Sequence, residues 1–387
     1  MQSTYKKTDL YATGMAIFAM FFGAGNIIFP LVLGQQLFAQ IPYAILGLLV
    51  TAVVVPFSGL LAMFLYQGQM RDFFGRLGQW PGLMLAFLII TLLGPVGSTP
   101  RCITLSFSTL KLIFPDLDPF LFNAIACGCL FLMAYKKQCL LDMLGYLLTP
   151  LLLMLLALVI IKGLWNPPLY PSLTIQIESY PHFWKGLKEG YNTMDLLAAF
   201  FFAPVIIHAT QAKTAHLPDP KSRLMFVLKA SVIGATLLGL IYLGFSFLAS
   251  LHAADLQGIP AEELLAALSL KILGPQAGFM ICLIVVLACL TTAIALIAAF
   301  TSFIQQELLG GKGSYPWILA FSLLVTSLVS CFEFQGISRF LTPILEICYP
   351  FLILLTVYNL IERLYWLRGI PQTVKENMVK SEISQKT

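Results

Sequence analysis

Charged residues are scarce in this sequence. Asp, Glu, Lys and Arg make up 11% of the 387 residues, whereas a soluble globular protein carries about 25%. Hydrophobic residues make up 59%, and the mean hydropathy is +0.87. This shortage of charge excludes an ordinary soluble domain and predicts a polytopic protein of the lipid bilayer. The net charge of +5 does not indicate a nucleic-acid partner, because Lys and Arg lie mostly in short connections, as membrane-insertion signals do.

Histidine is rare, and signatures of catalysis are missing. The chain has four His, and neither G-x-S-x-G nor H-E-x-x-H occurs in it, so the sequence does not favour an enzyme. The eight cysteines fall almost entirely within apolar runs, where a thiol behaves as a small hydrophobic group. We therefore expect no cofactor apart from a coupling ion, and no obligate protein partner is evident. A channel and a non-transporting sensor remain alternatives to a transporter.

Long apolar runs follow one another along the chain. About 20 apolar residues span the hydrocarbon core of a bilayer, and on this scale the sequence predicts ten transmembrane helices. Their approximate bounds are 9–37, 41–66, 80–110, 118–135, 140–162, 187–211, 222–251, 276–304, 315–332 and 337–361. The predicted fold class is therefore an all-α polytopic membrane protein.

The connections indicate the orientation and domain organisation. Lys and Arg are concentrated in the connections on the side of the N-terminus, so both termini are predicted to be cytoplasmic. Residues 1–370 are predicted to form one transmembrane domain, and the polar tail 371–387 is predicted to be disordered. In the connection 252–275, the stretch PAEELLAALSLKIL has helical periodicity and predicts a short interfacial helix.

The first helix carries helix-weakening residues at its centre, in the stretch FFGAGNIIFP at 21–30. Gly23, Gly25 and Asn26 adopt backbone conformations that most residues avoid, and Pro30 lacks a backbone donor. Unpaired backbone groups are tolerated within a bilayer only where protein or a polar ligand satisfies them. The stretch therefore predicts an interrupted helix, with a packing glycine pair and a proline kink as the alternative.

The sixth helix contains a second such signal. Ala203-Pro204 lies within the apolar run FFFAPVII, five helices after the first interruption. If a unit of five transmembrane helices is repeated once, the second copy is inverted in the membrane. The reason is that an odd number of membrane crossings leaves the chain on the opposite side. The repeats are predicted at about 9–162 and 187–361. Interrupted helices at corresponding positions of two repeats mark the binding site of secondary transporters, although Pro204 by itself is also compatible with a kink.

The eighth helix supplies a cluster of oxygen atoms. Ala288, Thr291 and Thr292 share one face at spacings i, i+3 and i+4. Two hydroxyls and a freed carbonyl are ligands that hard cations such as sodium accept. The alternative is that both hydroxyls bond to the backbone of their own helix.

Ionisable residues at bilayer depth are functional candidates because they are costly to bury. Asp195 lies in the first turns of helix 6, where it is either a coupling residue or a charge near water. Glu346 is expected to be the deepest carboxylate of the chain, as a proton carrier or a silent protonated acid. Arg101, after the breaks at Pro95 and Pro100, is expected to pair with a carboxylate, with snorkelling to the membrane surface as the alternative.

Four motifs resemble a known family. MAIFAMFFGAGNIIFPLVLGQ in helix 1, GPVGSTPRCITLSF in helix 3, GYNTMDLLAAFFF in helix 6 and ACLTTAIALIAAF in helix 8 closely resemble the bacterial branched-chain amino acid:cation symporters. The similarity covers essentially the whole chain. That family belongs to the amino acid, polyamine and organocation superfamily, so the resemblance implies a LeuT-like inverted repeat and a location in the bacterial inner membrane.

The resemblance also implies site residues. Substrate-binding residues would be Phe21, Phe22, Gly23, Ala24, Gly25, Asn26, Phe200, Phe201 and Phe202. A sodium ion would be bound by carbonyls near Ala19, Phe22 and Ala288 and by the hydroxyls of Thr291 and Thr292. The implied function is import of leucine, isoleucine or valine coupled to sodium by alternating access. Transport of another neutral amino acid and coupling to protons through Glu346 or Asp195 remain alternatives.

The chain departs from the family pattern in three respects. Glu346 occupies a position that the family pattern predicts to be apolar, which leaves a proton role open. Family members usually have twelve helices, two more than predicted here. Their sixth helix usually has a glycine at the break, where this chain reads FFFAP, and this difference is expected to alter the size of the substrate pocket.

Overall fold

The computed structural model describes residues 6–37, 41–135, 139–165, 179–214 and 220–369. Within these ranges the regular structure is entirely helical. The helices are α1 (Lys7–Phe21), α2 (Ala24–Leu37), α3 (Ile41–Leu49), α4 (Val55–Leu65), α5 (Met70–Phe74), α6 (Gln79–Leu93), α7 (Ser98–Lys111), α8 (Pro119–Tyr135), α9 (Cys139–Trp165), α10 (Ser179–Asn192), α11 (Asp195–Thr214), α12 (Pro220–Leu251), α13 (Leu264–Phe303), α14 (Tyr315–Ser330) and α15 (Glu333–Gly369). The predicted disordered tail 371–387 lies outside the described residues.

Many of these helices are long and apolar enough to cross a bilayer. Six such stretches are Pro42–Leu65, Gln79–Lys111, Pro181–Thr210, Ser222–Leu251, Ala261–Leu308 and Glu333–Tyr365, and the bent pair α1 and α2 forms a seventh if it is one span. Three shorter apolar helices are Pro119–Tyr135, Pro150–Trp165 and Tyr315–Ser330. The all-helical membrane class is confirmed, while the count of ten spans stays a prediction.

The predicted interruption of the first helix is confirmed. The chain bends by 74° between α1 and α2. Phe22, at the break, has an extended backbone with φ −76° and ψ 104°, so the helical hydrogen-bond ladder ends there. Pro30 lies inside α2 and not at the break. The glycines and the asparagine of this stretch therefore determine the position of the bend more than the proline does.

The second interruption lies earlier than predicted. The chain leaves the helix at Thr193 and Met194, where Met194 has a φ of 61°, whereas Pro204 lies inside the continuous helix α11. The prediction of a break at Phe200–Pro204 is therefore wrong. The physical reason is that the proline removes only one backbone donor. At the actual break Arg101 donates a hydrogen bond to the carbonyl oxygen of Asn192 at 2.9 Å.

Two further breaks interrupt the helices of the described residues. Within the predicted third helix, Gly94–Gly97 separates α6 from α7. In the stretch 260–273 the chain is helical from Ala261 onward, as predicted, and this helix is set off from the rest of α13 by Gly274, whose φ is 82°. An ordinary side chain strains such a conformation, so glycine is suited to this corner.

Helices α3 and α10 pack with their backbones in close contact through small residues. A Cβ atom added at Gly186 of α10 would lie 1.8 Å from the carbonyl oxygen of Ala44, and one at Gly47 of α3 would lie 2.2 Å from the carbonyl oxygen of Phe183. Small residues permit this approach in membrane proteins. The contact positions α10, which leads directly into the second break.

We expect Gly186→Ala to destabilise the protein by about 1–3 kcal/mol, because the added methyl group forces α3 and α10 apart. Gly128→Ala in α8 is the matched control, since a Cβ there meets no atom within 4 Å. The midpoint of thermal unfolding in detergent measures the effect. Equal midpoints for the two variants would contradict the close packing of α3 on α10.

Candidate functional site

The two helix breaks lie against each other in the interior. A Cβ atom added at Gly25, beside the first break, would lie 3.2 Å from both the Cα and the carbonyl oxygen of Thr193, in the second break. A Cβ at Gly23 would lie 3.4 Å from the Cγ2 of Thr292 in α13. Interrupted backbone from two helices therefore meets at one place, beside the threonine pair.

Asn26 connects the two breaks by side-chain hydrogen bonds. Its Nδ2 lies 2.8 Å and 2.9 Å from the two carboxylate oxygens of Asp195 and also donates to the hydroxyl of Tyr242. The Tyr242 hydroxyl donates to Asp195 Oδ2 at 2.7 Å. The Oδ1 of Asn26 accepts the backbone N–H of Gly23 at 2.9 Å. All three side chains are buried, so this cluster ties α2, α11 and α12 together at the break.

A small cavity, here called the break cavity, lies at this junction. Its volume is about 30 Å³. Eight predicted site residues line it, namely Phe21, Gly23, Ala24, Gly25, Asn26, Asp195, Phe202 and Thr292. Arg101 and the break residues Thr193 and Met194 also line it. The structure therefore brings most of the predicted substrate-binding residues to one buried space.

Three other predicted substrate-binding residues lie elsewhere. Phe200 is fully buried against the rings of Phe73 and Phe74, with ring centroids 5.2 Å and 5.4 Å away. Phe22 and Phe201 line a larger cavity next to the break cavity. Successive residues of α11 point in different directions around the helix, so the three adjacent phenylalanines do not line one pocket as predicted.

The larger cavity, here called the N-side cavity, lies on the side from which α1 approaches the break. Its volume is about 1420 Å³. Residues of α1, α11 and α13 line it, and it reaches the surface at Arg71, which pairs with Glu307 at 2.5 Å. Met20, Phe202 and Thr292 line both this cavity and the break cavity. These three residues therefore form the partition between the two spaces.

All five residues predicted to supply sodium ligands line the N-side cavity. They are Ala19, Phe22, Ala288, Thr291 and Thr292. In a continuous helix, the N–H of Gly23 would donate to the carbonyl oxygen of Ala19. At the break it donates to Asn26 instead, so the carbonyl of Ala19 lacks its usual helical donor.

The threonine hydroxyls are bonded within their own helix, as the alternative interpretation predicted. Thr291 and Thr292 each donate to the carbonyl oxygen of Ala288 at 2.9 Å. A hydroxyl that donates one bond still has two acceptor lone pairs. These bonds therefore orient the two oxygens without using their capacity to coordinate a cation.

Glu346 is not the deepest carboxylate of the chain, contrary to expectation. Its side chain is 35% exposed and pairs with Lys188 at 3.1 Å, whereas Asp195 is 1% exposed. Glu346 lines a third space, here called the far-side cavity, of about 520 Å³ on the side toward which α2 leaves the break. Glu346 therefore lies apart from the break cavity, and Asp195 is the buried carboxylate at the site.

Sequence reasoning missed Tyr242 and the break residues Thr193 and Met194. The signal for Tyr242 was a lone phenol within the apolar run GLIYLGF of α12, since a buried tyrosine hydroxyl usually has a partner. The signal for the second break was the polar pair Asn192-Thr193 ahead of Asp195. Arg101 is buried and does not snorkel, and its hydrogen-bond partner is a carbonyl and not the expected carboxylate.

Solved transporter structures share this fold. The inward-facing conformation of Mhp1 is 12% identical and matches with a TM-score of 0.64, covering 90% of this chain and 76% of that chain. A closed conformation of Mhp1, a nucleobase-cation-symport-1 family transporter with bromovinylhydantoin bound, is 12% identical and matches with a TM-score of 0.58, covering 87% and 74%. These likenesses show the predicted LeuT-like fold.

Sequence relatives indicate the family. The branched-chain amino acid permease BrnQ of Corynebacterium glutamicum is 30% identical over 364 residues, which cover 93% of this chain and 83% of the relative. BrnQ of Escherichia coli is 28% identical, covering 95% and 83%. The family profile described as branched-chain amino acid transport protein matches residues 6–383. The chain therefore belongs to the branched-chain amino acid transport protein family and is a transport protein, not an enzyme.

Proposed function

We propose that this protein is a secondary active symporter that imports leucine, isoleucine and valine, driven by a sodium gradient through alternating access. The observation that carries the proposal is the meeting of two helix breaks on one buried cavity, in a member of this family. Broken helices offer backbone donors and carbonyls to a polar head group. The apolar part of the wall, including Phe21, Leu93, Phe202 and Leu296, suits a branched aliphatic side chain.

Sodium coupling is supported by the oxygen atoms between α1 and α13. The carbonyl-bearing residues Ala19 and Phe22 and the two oriented threonine hydroxyls face one cavity. Neutral oxygens of this kind suit a hard monovalent cation. The partition residue Thr292 lies next to both the proposed ion and the break cavity, so ion binding would order the wall of the substrate site.

Alternating access is supported by the arrangement of the three cavities. The break cavity lies between the N-side and far-side cavities, separated from the first by Met20, Phe202 and Thr292. A small-molecule site measures about 300–1,000 Å³, so a break cavity of about 30 Å³ must expand to admit an amino acid. Movement of the partition would provide that space while the far side stays closed.

The proposed location is the bacterial inner membrane, with both termini cytoplasmic. Lys and Arg are concentrated on the side of the N-terminus, as the positive-inside rule requires. In this orientation the N-side cavity faces the cytoplasm and the far-side cavity faces outward.

The test is uptake of radiolabelled leucine by purified protein in proteoliposomes, with an inward sodium gradient at fixed pH. We expect accumulation above equilibrium that a sodium ionophore abolishes. Counterflow exchange of unlabelled for labelled leucine separates a carrier from a channel. Absence of leucine, isoleucine and valine uptake under sodium and proton gradients, by folded protein, would refute the proposal.

Coupling to protons is the second candidate. The observation that favours it is the buried carboxylate of Asp195 beside the break cavity. Uptake that persists without sodium and follows an imposed pH gradient would support protons. Competition by other neutral amino acids in the same assay tests whether the substrate is a branched-chain residue.

A further inference from the structure

The break cavity is lined by one buried cation and one buried anion. Arg101 is 2% exposed and Asp195 is 1% exposed, and both line this cavity. Among the ion pairs of the described residues, none within 4.0 Å includes either side chain. Buried charges in membrane proteins are normally paired because an isolated charge is costly. Neither side chain therefore forms a direct ion pair within the described part of the chain, and the carboxylate that acts electrostatically on Arg101 is that of Glu189.

Arg101 retains donors that the described residues do not use. Its Nη1 donates to the carbonyl oxygen of Asn192 at 2.9 Å, while its buried Nε and Nη2 have no hydrogen-bond partner among those residues. The guanidinium lies 5.3 Å and 5.5 Å from the ring centroids of Phe29 and Phe334, which line the far-side cavity. Arg101 therefore lies between the break cavity and these rings, with N–H groups available to an oxyanion.

Among the described residues, Asp195 receives hydrogen bonds from neutral side chains only. Asn26, Tyr242 and Thr193 supply them, and none of these carries a positive charge. A carboxylate has about four acceptor positions, so these donors leave capacity for a further one. An ammonium group would supply both the missing charge and the missing donor.

We propose that Arg101 binds the α-carboxylate and Asp195 binds the α-ammonium group of the transported amino acid. This inference deepens the proposed function and rests on it. A cavity lined by one charge of each sign matches a zwitterion, which has the same two charges and no net charge. The backbone of the two breaks would add neutral hydrogen bonds, and the substrate side chain would lie against the apolar wall.

Equilibrium binding to purified protein at saturating sodium tests the role of Arg101. Leucine is compared with leucinamide, which keeps the ammonium group and lacks the carboxylate. We expect Arg101→Gln to weaken leucine binding about 100-fold, as loss of one partner of a buried charge pair does. Leucinamide binding should change little, and Arg101→Lys should restore part of the leucine affinity. Arg76→Gln, at a surface ion pair with Glu362, is the control and should bind both ligands as wild type does.

The role of Asp195 is tested with 4-methyl-2-oxopentanoate, which keeps the carboxylate and lacks the ammonium group. We expect Asp195→Asn to weaken leucine binding about 100-fold and to leave binding of the oxo acid unchanged or improved. Size-exclusion profiles and thermal unfolding establish that each variant is folded. If Asp195→Asn does not fold, the comparison of Arg101→Gln with Arg101→Lys still decides the carboxylate half.

The outcomes separate this inference from the proposed function. Leucine transport by wild type, together with an equal loss of affinity for all ligands in folded Arg101→Gln and Asp195→Asn, would overturn the inference and leave the function intact. Unchanged leucine affinity in either variant would overturn the assignment of that residue. Failure of wild type to bind or transport any neutral amino acid would overturn the proposed function, and the inference with it.

Discussion

Replacement of Asn26 by Leu is expected to abolish leucine uptake. The substitution leaves the N–H of Gly23 without its acceptor and removes the Asn26 donor from Asp195. Removing one partner from a buried charged group costs about 3–5 kcal/mol, and about 2.7 kcal/mol already corresponds to a 100-fold change in an equilibrium. We therefore expect uptake in proteoliposomes to fall to about 1% of the wild-type rate or less.

Asn123→Leu is the matched control for this substitution. Asn123 is also buried, and its Nδ2 donates to the carbonyl oxygen of Ser327 at 2.9 Å, which links α8 to α14. It lines none of the three cavities described above. Asn123→Leu should lower the midpoint of thermal unfolding while uptake per folded molecule is retained. An equal loss of uptake in both variants would mean that Asn26 acts through general stability.

Replacement of Thr292 by Val is expected to raise the sodium concentration for half-maximal uptake about tenfold, which corresponds to about 1.4 kcal/mol of binding free energy. Valine keeps the branched shape of threonine and removes the hydroxyl. That hydroxyl is one of the proposed sodium ligands, at the partition between the N-side and break cavities. The measurement is initial leucine uptake at varied sodium and constant ionic strength.

Thr301→Val tests whether loss of a hydroxyl from α13 is sufficient to produce that effect. Thr301 is buried in the same helix and donates to the carbonyl oxygen of Ile297 at 2.7 Å, four residues earlier, as Thr292 does to Ala288. It lines none of the three cavities described above, so sodium dependence should remain that of wild type. Equal sodium dependence in Thr292→Val and wild type would exclude the Thr292 hydroxyl as a sodium ligand.

The sequence predicted those features that arise from local chemistry. Gly23, Gly25 and Asn26 indicated the first interruption, because glycine and asparagine disfavour a helix wherever they are placed within it. The spacing of Thr291 and Thr292 after Ala288 predicted a shared helix face, and all three residues line one cavity. The scarcity of charge predicted a membrane protein before any packing was known.

The second break and the aromatic wall could not be located in the same way. The strongest local signal in helix 6 was Pro204, yet the helix continues through it. The chain leaves the helix near Asn192, whose carbonyl is bonded by Arg101 from 91 positions earlier in the sequence. Likewise, the burial of Phe200 against Phe73 and Phe74 follows from the packing of a segment distant in the chain.

The sequence by itself determined the membrane class, the family, the first break and the helix face with the threonine pair. Only the tertiary structure decided that Asp195 is the buried carboxylate and that Glu346 pairs with Lys188 beside the far-side cavity. The physical reason is that the environment of a charge depends on its neighbours in space. Asp195 receives its hydrogen bonds from Asn26, 169 positions away, and from Tyr242, 47 positions away, and no local pattern records such partners.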